Sequence, residues 1–170
     1  LVFPEGNTRA DVFSVVRPVE EQIDFILRRR REDDVVAVTT YPSNAELLCR
    51  AVLDGGLDMT FIARFGMYAE AVEEHHRNLV RQAFPNAKIW TTYSAKEVGM
   101  IAWMCPYEPS FHHITAHRLD VQNLKKDNTP ANDGERGRVI VTDYFNTRSP
   151  FIRYELGDIA VPGKCPCGRL

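Results

Sequence analysis

The 170-residue sequence is long enough for one ordinary domain or two small subdomains sharing a core. Its apolar fraction of 44% with 26% charged residues excludes a disordered or fibrous chain. A formal net charge of -2 gives no global pull toward nucleic acid or anionic lipid, and no apolar run approaches the ~20 residues that cross a bilayer. Four cysteines are too few for a disulfide scaffold of this size and suit metal binding in a reducing compartment. The N-terminus lacks the residue order of a signal peptide, so the expectation is a cytoplasmic protein with neither nucleic acid nor membrane as partner. The chain has no initiating Met and stops just after a Cys/Gly cluster, from which we expect a piece of a longer protein.

In chain order, Pro18 stands at a plausible first helical position, and Val19, Ile23, Ile26 and Leu27 recur at helical spacing. The run Arg28 to Arg31 reads as a solvated helix end, where cations suit the macrodipole. Val35-Val36-Ala37-Val38 predicts a strand covered on both faces. Ser43 and Glu46 have capping-box spacing and open a helix that Gly55-Gly56 stops. Met59 to Ala63 predicts a second strand, Ala69 to Phe84 a helix, and Lys88 to Thr92 a third strand. Strands alternating with helices imply a parallel sheet. After Gly99 the pattern shifts to short strand-like runs at Ile114 to Ala116, Leu119 to Gln122, Val139 to Thr142 and Ile159 to Val161. Between them Lys125 to Gly137 is polar and turn-rich, as an exposed hairpin loop would be. The fold class expected is α/β: a parallel-sheet βαβ subdomain over 1–104, then a smaller, mostly antiparallel β subdomain over 105–170.

Ligands of open α/β sheets gather at the carboxyl ends of strands. That directs attention to Tyr41-Pro42-Ser43, to Arg64 through Tyr68, and above all to Tyr93-Ser94-Ala95-Lys96-Glu97. The last places an aromatic, small polar residues, an amine and a carboxylate in one turn. Tyr93 could stack on a base and Glu97 meet a magnesium-bound phosphate; an ordinary βα loop explains the same residues. Further on, Gly157-Asp158 offers a carboxylate to paired hydroxyls, or is simply a tight turn. Cys165-x-Cys167 can form a knuckle that Cys105 and either His112 or His113 complete as a Cys3His zinc set. The pattern alone leaves a zinc site and free buried thiols open.

The order Tyr93 to Ala102, Cys105-Pro106, His112-His113-Ile114, Gly137 to Thr142, Pro150 to Asp158 and Cys165-Pro166-Cys167-Gly168-Arg169, with Thr40-Tyr41-Pro42-Ser43 upstream, closely resembles the phenylacetate–CoA ligase family of adenylate-forming enzymes. The resemblance covers nearly the whole chain. It implies the central part of a ligase that activates a small carboxylic acid with ATP and Mg2+ to an acyl-adenylate and passes the acyl group to coenzyme A. Aromatic acids are the family's best-known choice. It further implies that Tyr93 stacks on adenine with Ser94 beside it, that Glu97 serves the magnesium and phosphates, that Asp158 holds the ribose hydroxyls, and that Gly66, Met67 and Tyr68 lie in the loop lining the adenine and acyl pockets.

The family's Ser-Gly/Ala-Glu pattern is absent at 66–68, and Lys96 stands where many members have Thr, so its amine would meet a phosphate as a point charge. The Gly/Ser/Thr-rich phosphate loop, the hinge and the lysine-bearing C-terminal domain are not in the sequence, so the chain alone is expected not to turn over. Cysteines and histidines at similar positions recur in part of the family, which favours a structural zinc on Cys105, Cys165, Cys167 and, because it precedes the strand at Ile114, His113. The competing expectation is a non-catalytic zinc-containing interaction or nucleic-acid-binding module, suggested by the Cys/His set and the arginine run.

Overall fold

The computed structural model describes residues 11–32 and 37–168; the expected strand start at Val35-Val36 and Arg169 of the Cys-Pro-Cys-Gly-Arg run lie outside the described residues. The elements are α1 (Val19–Glu32), β1 (Ala37–Thr40), α2 (Pro42–Asp54), β2 (Arg64–Met67), α3 (Glu74–Ala83), β3 (Lys88–Ala95), β4 (Gly99–Met104), β5 (His112–Ile114), β6 (Leu119–Leu124), β7 (Gly137–Asp143) and β8 (Tyr154–Ala160). The first five strands form a mixed sheet in the order β1-β2-β3-β4-β5, with parallel pairs, and the last three a separate antiparallel sheet β6-β7-β8. The expected α/β class is therefore the observed one. Among the described residues, no helix is long and apolar enough to cross a membrane.

Two compact units divide the chain: Leu1–Phe65 with Glu73–Lys88, and Gly66–Val72 with Ile89–Leu170. In the first, α2 buries Ala45, Leu48, Cys49 and Val52, and Phe65 and Phe84 meet with ring centroids 4.8 Å apart. Burial pushes the Cys49 thiol up to about 12, so it is an inert core residue. Asn44 donates to Gln22 Oε1 and Thr40 Oγ1, both at 2.9 Å, which satisfies its buried amide. Of the arginine run, Arg30 lies 4.3 Å from the Phe61 ring centroid and 3.5 Å from Asp58, and Arg29 pairs with Asp11 at 2.9 Å. These are structural anchors.

Several local expectations are corrected. Pro18 precedes α1 rather than opening it, its carbonyl accepting the N–H groups of Glu21 and Gln22. Helix α2 starts at Pro42 with Tyr41 as N-cap and no side-chain cap, so Ser43 and Glu46 make no capping box; Glu46 accepts instead from Arg50 at 2.6 Å. The capping box belongs to α3, between Glu73 and His76. Met59 to Ala63 is a turn, not a strand: Asp58 Oδ1 accepts Thr60 N at 3.0 Å and Ile62 N closes onto Met59 O, so Met59 and Ile62 are buried without a ladder. The strand follows at β2, which places Gly66 and Met67 in a strand rather than a loop, with Met67 0% exposed. Ala69 has φ 67, outside helical space, so α3 begins only at Glu74.

In the second unit β3 turns directly into β4 through residues 96–98, with Gly99 at φ 71; the expected βα loop is a hairpin turn. Val98, Ile101, Leu119, Val139 and Val141 form the core here, and Tyr93, Phe151 and Leu156 pack against it. A Cβ on Gly99 would add a left-handed strain and stand 3.3 Å from Arg118 Nη1. Gly99→Ala is thus expected to cost about 1–2 kcal/mol of stability, read as a lowered urea midpoint.

Asp143 caps the end of β7. Its Oδ1 accepts the N–H of Phe145 at 2.9 Å and its Oδ2 the Arg118 guanidinium at 3.2 Å, with the side chain 1% exposed. The Phe145 N–H is the main cause that holds its carboxyl below the usual range; burial opposes this and Arg118 assists it. A lowered folded pKa contributes stability that is complete above the unfolded value near ~3.9 and is lost as pH falls through the folded one. Asp143→Asn is expected to cost about 2 kcal/mol at pH 7 and to flatten the loss of stability between pH 4 and the acid limit, measured by urea unfolding across that range.

Candidate functional site

Two irregularities in the ladders aim the site. Where β3 pairs with β4, Tyr93 opposes Ala102 but Ser94 opposes Met100, so Ile101 is an extra residue and the strand kinks at Tyr93. Where β7 pairs with β8, Arg138 opposes Ile159 and Ile140 opposes Glu155, leaving Leu156-Gly157-Asp158 opposite Val139 alone. Gly157 sits at φ 85 in that bulge, a conformation a side chain would strain.

The result is a direct contact. Tyr93 Oη donates to Asp158 Oδ2 at 2.6 Å, across 65 positions of sequence. Burial, then the hydrogen bond and charge of Asp158, raise the Tyr93 phenol above its ordinary value, so it stays protonated and a donor at neutral pH. A second tyrosine–acid approach runs alongside: Tyr154 Oη lies 3.5 Å from Glu97 Oε1. Tyr93 and Glu97 are four apart in sequence, as are Tyr154 and Asp158, and each tyrosine faces the acid of the other segment. Spacing in the sequence hints at Tyr154 only through this shared interval. Ser94, Lys96 and Glu97 are exposed on the same hairpin. Gly66 and Met67 are enclosed and bring no exposed side chain to this surface.

Upstream of Tyr154, Arg153 adopts φ 49, tied by its N–H to Thr142 Oγ1 at 3.0 Å and by Nη1 to Gln122 Oε1 at 2.8 Å. Such a strained residue persists because both its ends are held, and it fixes where β8 begins.

The second constellation is a thiol/imidazole set. Cys105, His113, Cys165 and Cys167 each offer one donor atom, all within 4.8 Å of one another, and all four cysteines are free thiols. Cys167 Sγ lies 3.4 Å from His113 Nε2. Tetrahedral zinc with Zn–S ≈ 2.3 Å spaces its donors by roughly 3.3–3.8 Å, so the set fits a zinc ion. His113 faces the thiols, whereas His112 is engaged by Thr91 Oγ1 at 2.8 Å. The strand alternation of β5 separates the two rings. Burial works against ionising Cys105, but hydrogen bonds from His113 and from the N–H groups of Tyr107 and Glu108 outweigh it and bring the thiol down to about 6. Burial first, and the neighbouring thiols with it, push Cys165 up to about 11. Thiols crowded in this way hold one negative charge readily and a second only with a cation present.

In the first unit, Glu46, His75 and His76 also converge. Their donors are already spent in part: Arg50 takes Glu46 Oε1 at 2.6 Å, and His76 Nδ1 accepts the Glu73 N–H at 3.1 Å as part of the α3 cap.

No family model matches the chain, and no curated protein matches it. Among solved structures, it is similar to 2-hydroxyisobutyryl-CoA ligase in complex with 2-HIB-AMP and CoA in the thioesterification state. There the TM-score is 0.74 and the identity 18%, over 92% of this chain and 35% of that one. It is similar also to the anthranilate CoA ligase AuaEII in complex with anthranoyl-AMP, with TM-score 0.62 and 13% identity over 83% of this chain and 29% of that one. A third is the long-chain-fatty-acid-CoA ligase FadD1 from Archaeoglobus fulgidus, with TM-score 0.63 and 11% identity over 86% and 35%. At these identities the likeness shows the fold, and the chain spans about a third of the length of the solved structures it matches.

Proposed function

We propose that the chain is the central part of an ATP-dependent carboxylate–CoA ligase of the phenylacetate–CoA ligase kind, incomplete on its own. The observation that carries this reading is the Tyr93–Asp158 hydrogen bond at 2.6 Å. It joins an aromatic face and a carboxylate, which is what an adenine ring and a ribose diol require. The fold shared with several CoA ligases supports the same reading.

In this reading Tyr93 stacks on adenine, Ser94 lies at its edge, and Asp158 accepts from the ribose hydroxyls. Attack by a small carboxylic acid, aromatic in the first instance, on the α-phosphate of ATP adds negative charge to phosphoryl oxygens and expels pyrophosphate. Lys96 opposes that charge as an exposed cation. Glu97 would hold a magnesium ion, which neutralises phosphate charge when bound. Gly66 and Met67, being enclosed, act as supports. Residues 1–104 provide the α/β part of the nucleotide domain and 105–170 the β subdomain, tied together at its ends by a zinc ion on Cys105, His113, Cys165 and Cys167. With four protein donors that ion has no open position and serves structure, in a protein of the cytoplasm.

The test is pyrophosphate exchange into ATP, dependent on an added aromatic acid. A protein that carries this chain with a phosphate loop before it and a lysine-bearing domain after it should exchange; the 170 residues alone should bind AMP and not exchange. Exchange by the isolated chain, or none in the longer protein with any acid tried, would contradict the reading.

A further inference from the structure

Within the second unit, one guanidinium is held by a buried carboxylate through Nη2 while its Nη1 donors stay unspent among the described residues. Arg118 closes the turn after β5, its N–H bonded to Thr115 O at 2.9 Å and its carbonyl accepting Tyr144 N at 3.1 Å. Its Nη2 donates to Asp143 Oδ2 at 3.2 Å, and its Nη1 stands 3.3 Å from where a Cβ on Gly99 would lie. The guanidinium has five N–H donors, yet Asp143 is its one side-chain partner among the described residues, and its enclosed Nε has no acceptor. Asp143 does not cancel the charge fully, because its other oxygen is committed to the N–H groups of Phe145 and Asn146.

The Arg118 side chain is 39% exposed and lines, with His117 and Phe145, a shallow, open depression of about 350 Å³. No hydrogen-bond partner of His117 is present among the described residues. A fork of donors fixed by a buried carboxylate, an adjacent imidazole and an aromatic wall suit a planar-to-tetrahedral oxyanion that can accept two parallel hydrogen bonds. Gly99, which ends the hairpin turn of Lys96 and Glu97, has no Cβ where Arg118 Nη1 passes, so the guanidinium lies near the end of that turn.

The geometry points to a phosphate-oxyanion site at Arg118 and His117. Two sources share that chemistry: the inorganic pyrophosphate expelled from ATP, and the phosphate groups of coenzyme A as thiol acceptor. The choice of these two sources rests on the ligase reading; the anion site itself rests on the depression.

The experiment is calorimetric titration of the chain with inorganic pyrophosphate and, separately, with coenzyme A at low ionic strength, with AMP as a control ligand and sulfate as a control anion. Pyrophosphate or coenzyme A should bind saturably and more tightly than sulfate. Arg118→Gln should weaken that binding about tenfold or more, and Arg118→Lys, which keeps the charge but loses the fork, by less. Because Arg118→Gln also leaves the Asp143 carboxylate without its cation, His117→Ala carries the same test on a side chain with no structural partner, and it should weaken binding severalfold with an unchanged melting temperature. Loss for pyrophosphate alone identifies the leaving group, loss for coenzyme A alone identifies the acceptor, and either supports the site. Failure of both to bind, or binding unchanged in all three variants, overturns it. AMP binding should be unaffected in these variants; absent AMP binding by the unaltered chain would count against the ligase reading and leave the anion result standing.

Discussion

Replacing Asp158 with alanine is expected to weaken AMP binding about ten- to a hundredfold while leaving the melting temperature nearly unchanged. The carboxylate is exposed, so its removal exposes no core, but it deletes charge-assisted hydrogen bonds worth roughly 1.5–3 kcal/mol in sum. Tyr93 divides the effect into two parts. Tyr93→Ala removes the stacking face, worth roughly 1–3 kcal/mol per base, and releases Asp158 from its donor. Tyr93→Phe keeps the face and removes only the hydroxyl, so it should cost far less than Tyr93→Ala. The double variant Tyr93→Phe with Asp158→Ala should resemble Asp158→Ala alone, because the hydroxyl acts through that carboxylate. Equal losses for Tyr93→Phe and Tyr93→Ala would mean that the ring contributes nothing to nucleotide binding.

Chelation is expected to have the larger effect on stability. Purified in the presence of zinc, the chain should carry about one equivalent of metal, and Cys167→Ala should reduce this to background. Metal removal should lower the melting temperature of the 89–170 region and release the segment around Cys165 to proteolysis, since the four donors join β5 and the start of β4's following turn to the end of the chain. Acid should do the same. Metal binding needs thiolates, so zinc should be held more weakly as pH falls and protons compete for the sulfurs. In metal-free protein the sign is the same for Cys105: its lowered folded value contributes stability that is complete only above the unfolded value of 9.0 and declines to nothing as pH falls through about 6. Zinc-free protein with an identical melting temperature, in both forms, would remove the metal from the account.

Helices α1 and α2, strand β3 and the paired strands β6 and β7 were legible because each follows a simple period or an unbroken apolar run; of β8 only Ile159 and Ala160 were, because the bulge at Leu156 to Asp158 breaks its alternation. Met59 to Ala63 misled for a physical reason: a buried apolar run reads the same in a turn as in a strand, and only the Asp58–Thr60 hydrogen bonds distinguish them. Strand β4 was hidden because Tyr93 to Glu97 reads as a βα loop, which leads into a helix, although Met100 through Met104 is an unbroken apolar run; the signal that mattered was Gly99, a glycine at positive φ ending a three-residue turn. Ser43 and Glu46 had the right spacing for a cap, but Pro42 had already opened the helix. No period or spacing links Tyr93 to Asp158; their meeting depends on two bulges in different sheets, and sequence suggested it only through a family resemblance. The Arg118–Asp143 pair had no sequence signal at all, being a cation from one turn and an acid at the end of a strand 25 residues later.

Nuclear magnetic resonance of the isotopically labelled chain during titration with AMP addresses the claim on which the rest depends, that one nucleoside contacts both bulges. Saturable shifts at Tyr93, at residues 96–98 and at Gly157-Asp158, following a single binding curve and absent in Asp158→Ala, are the predicted result. Shifts that saturate elsewhere, or at only one of the two bulges, or none at millimolar AMP, would contradict it.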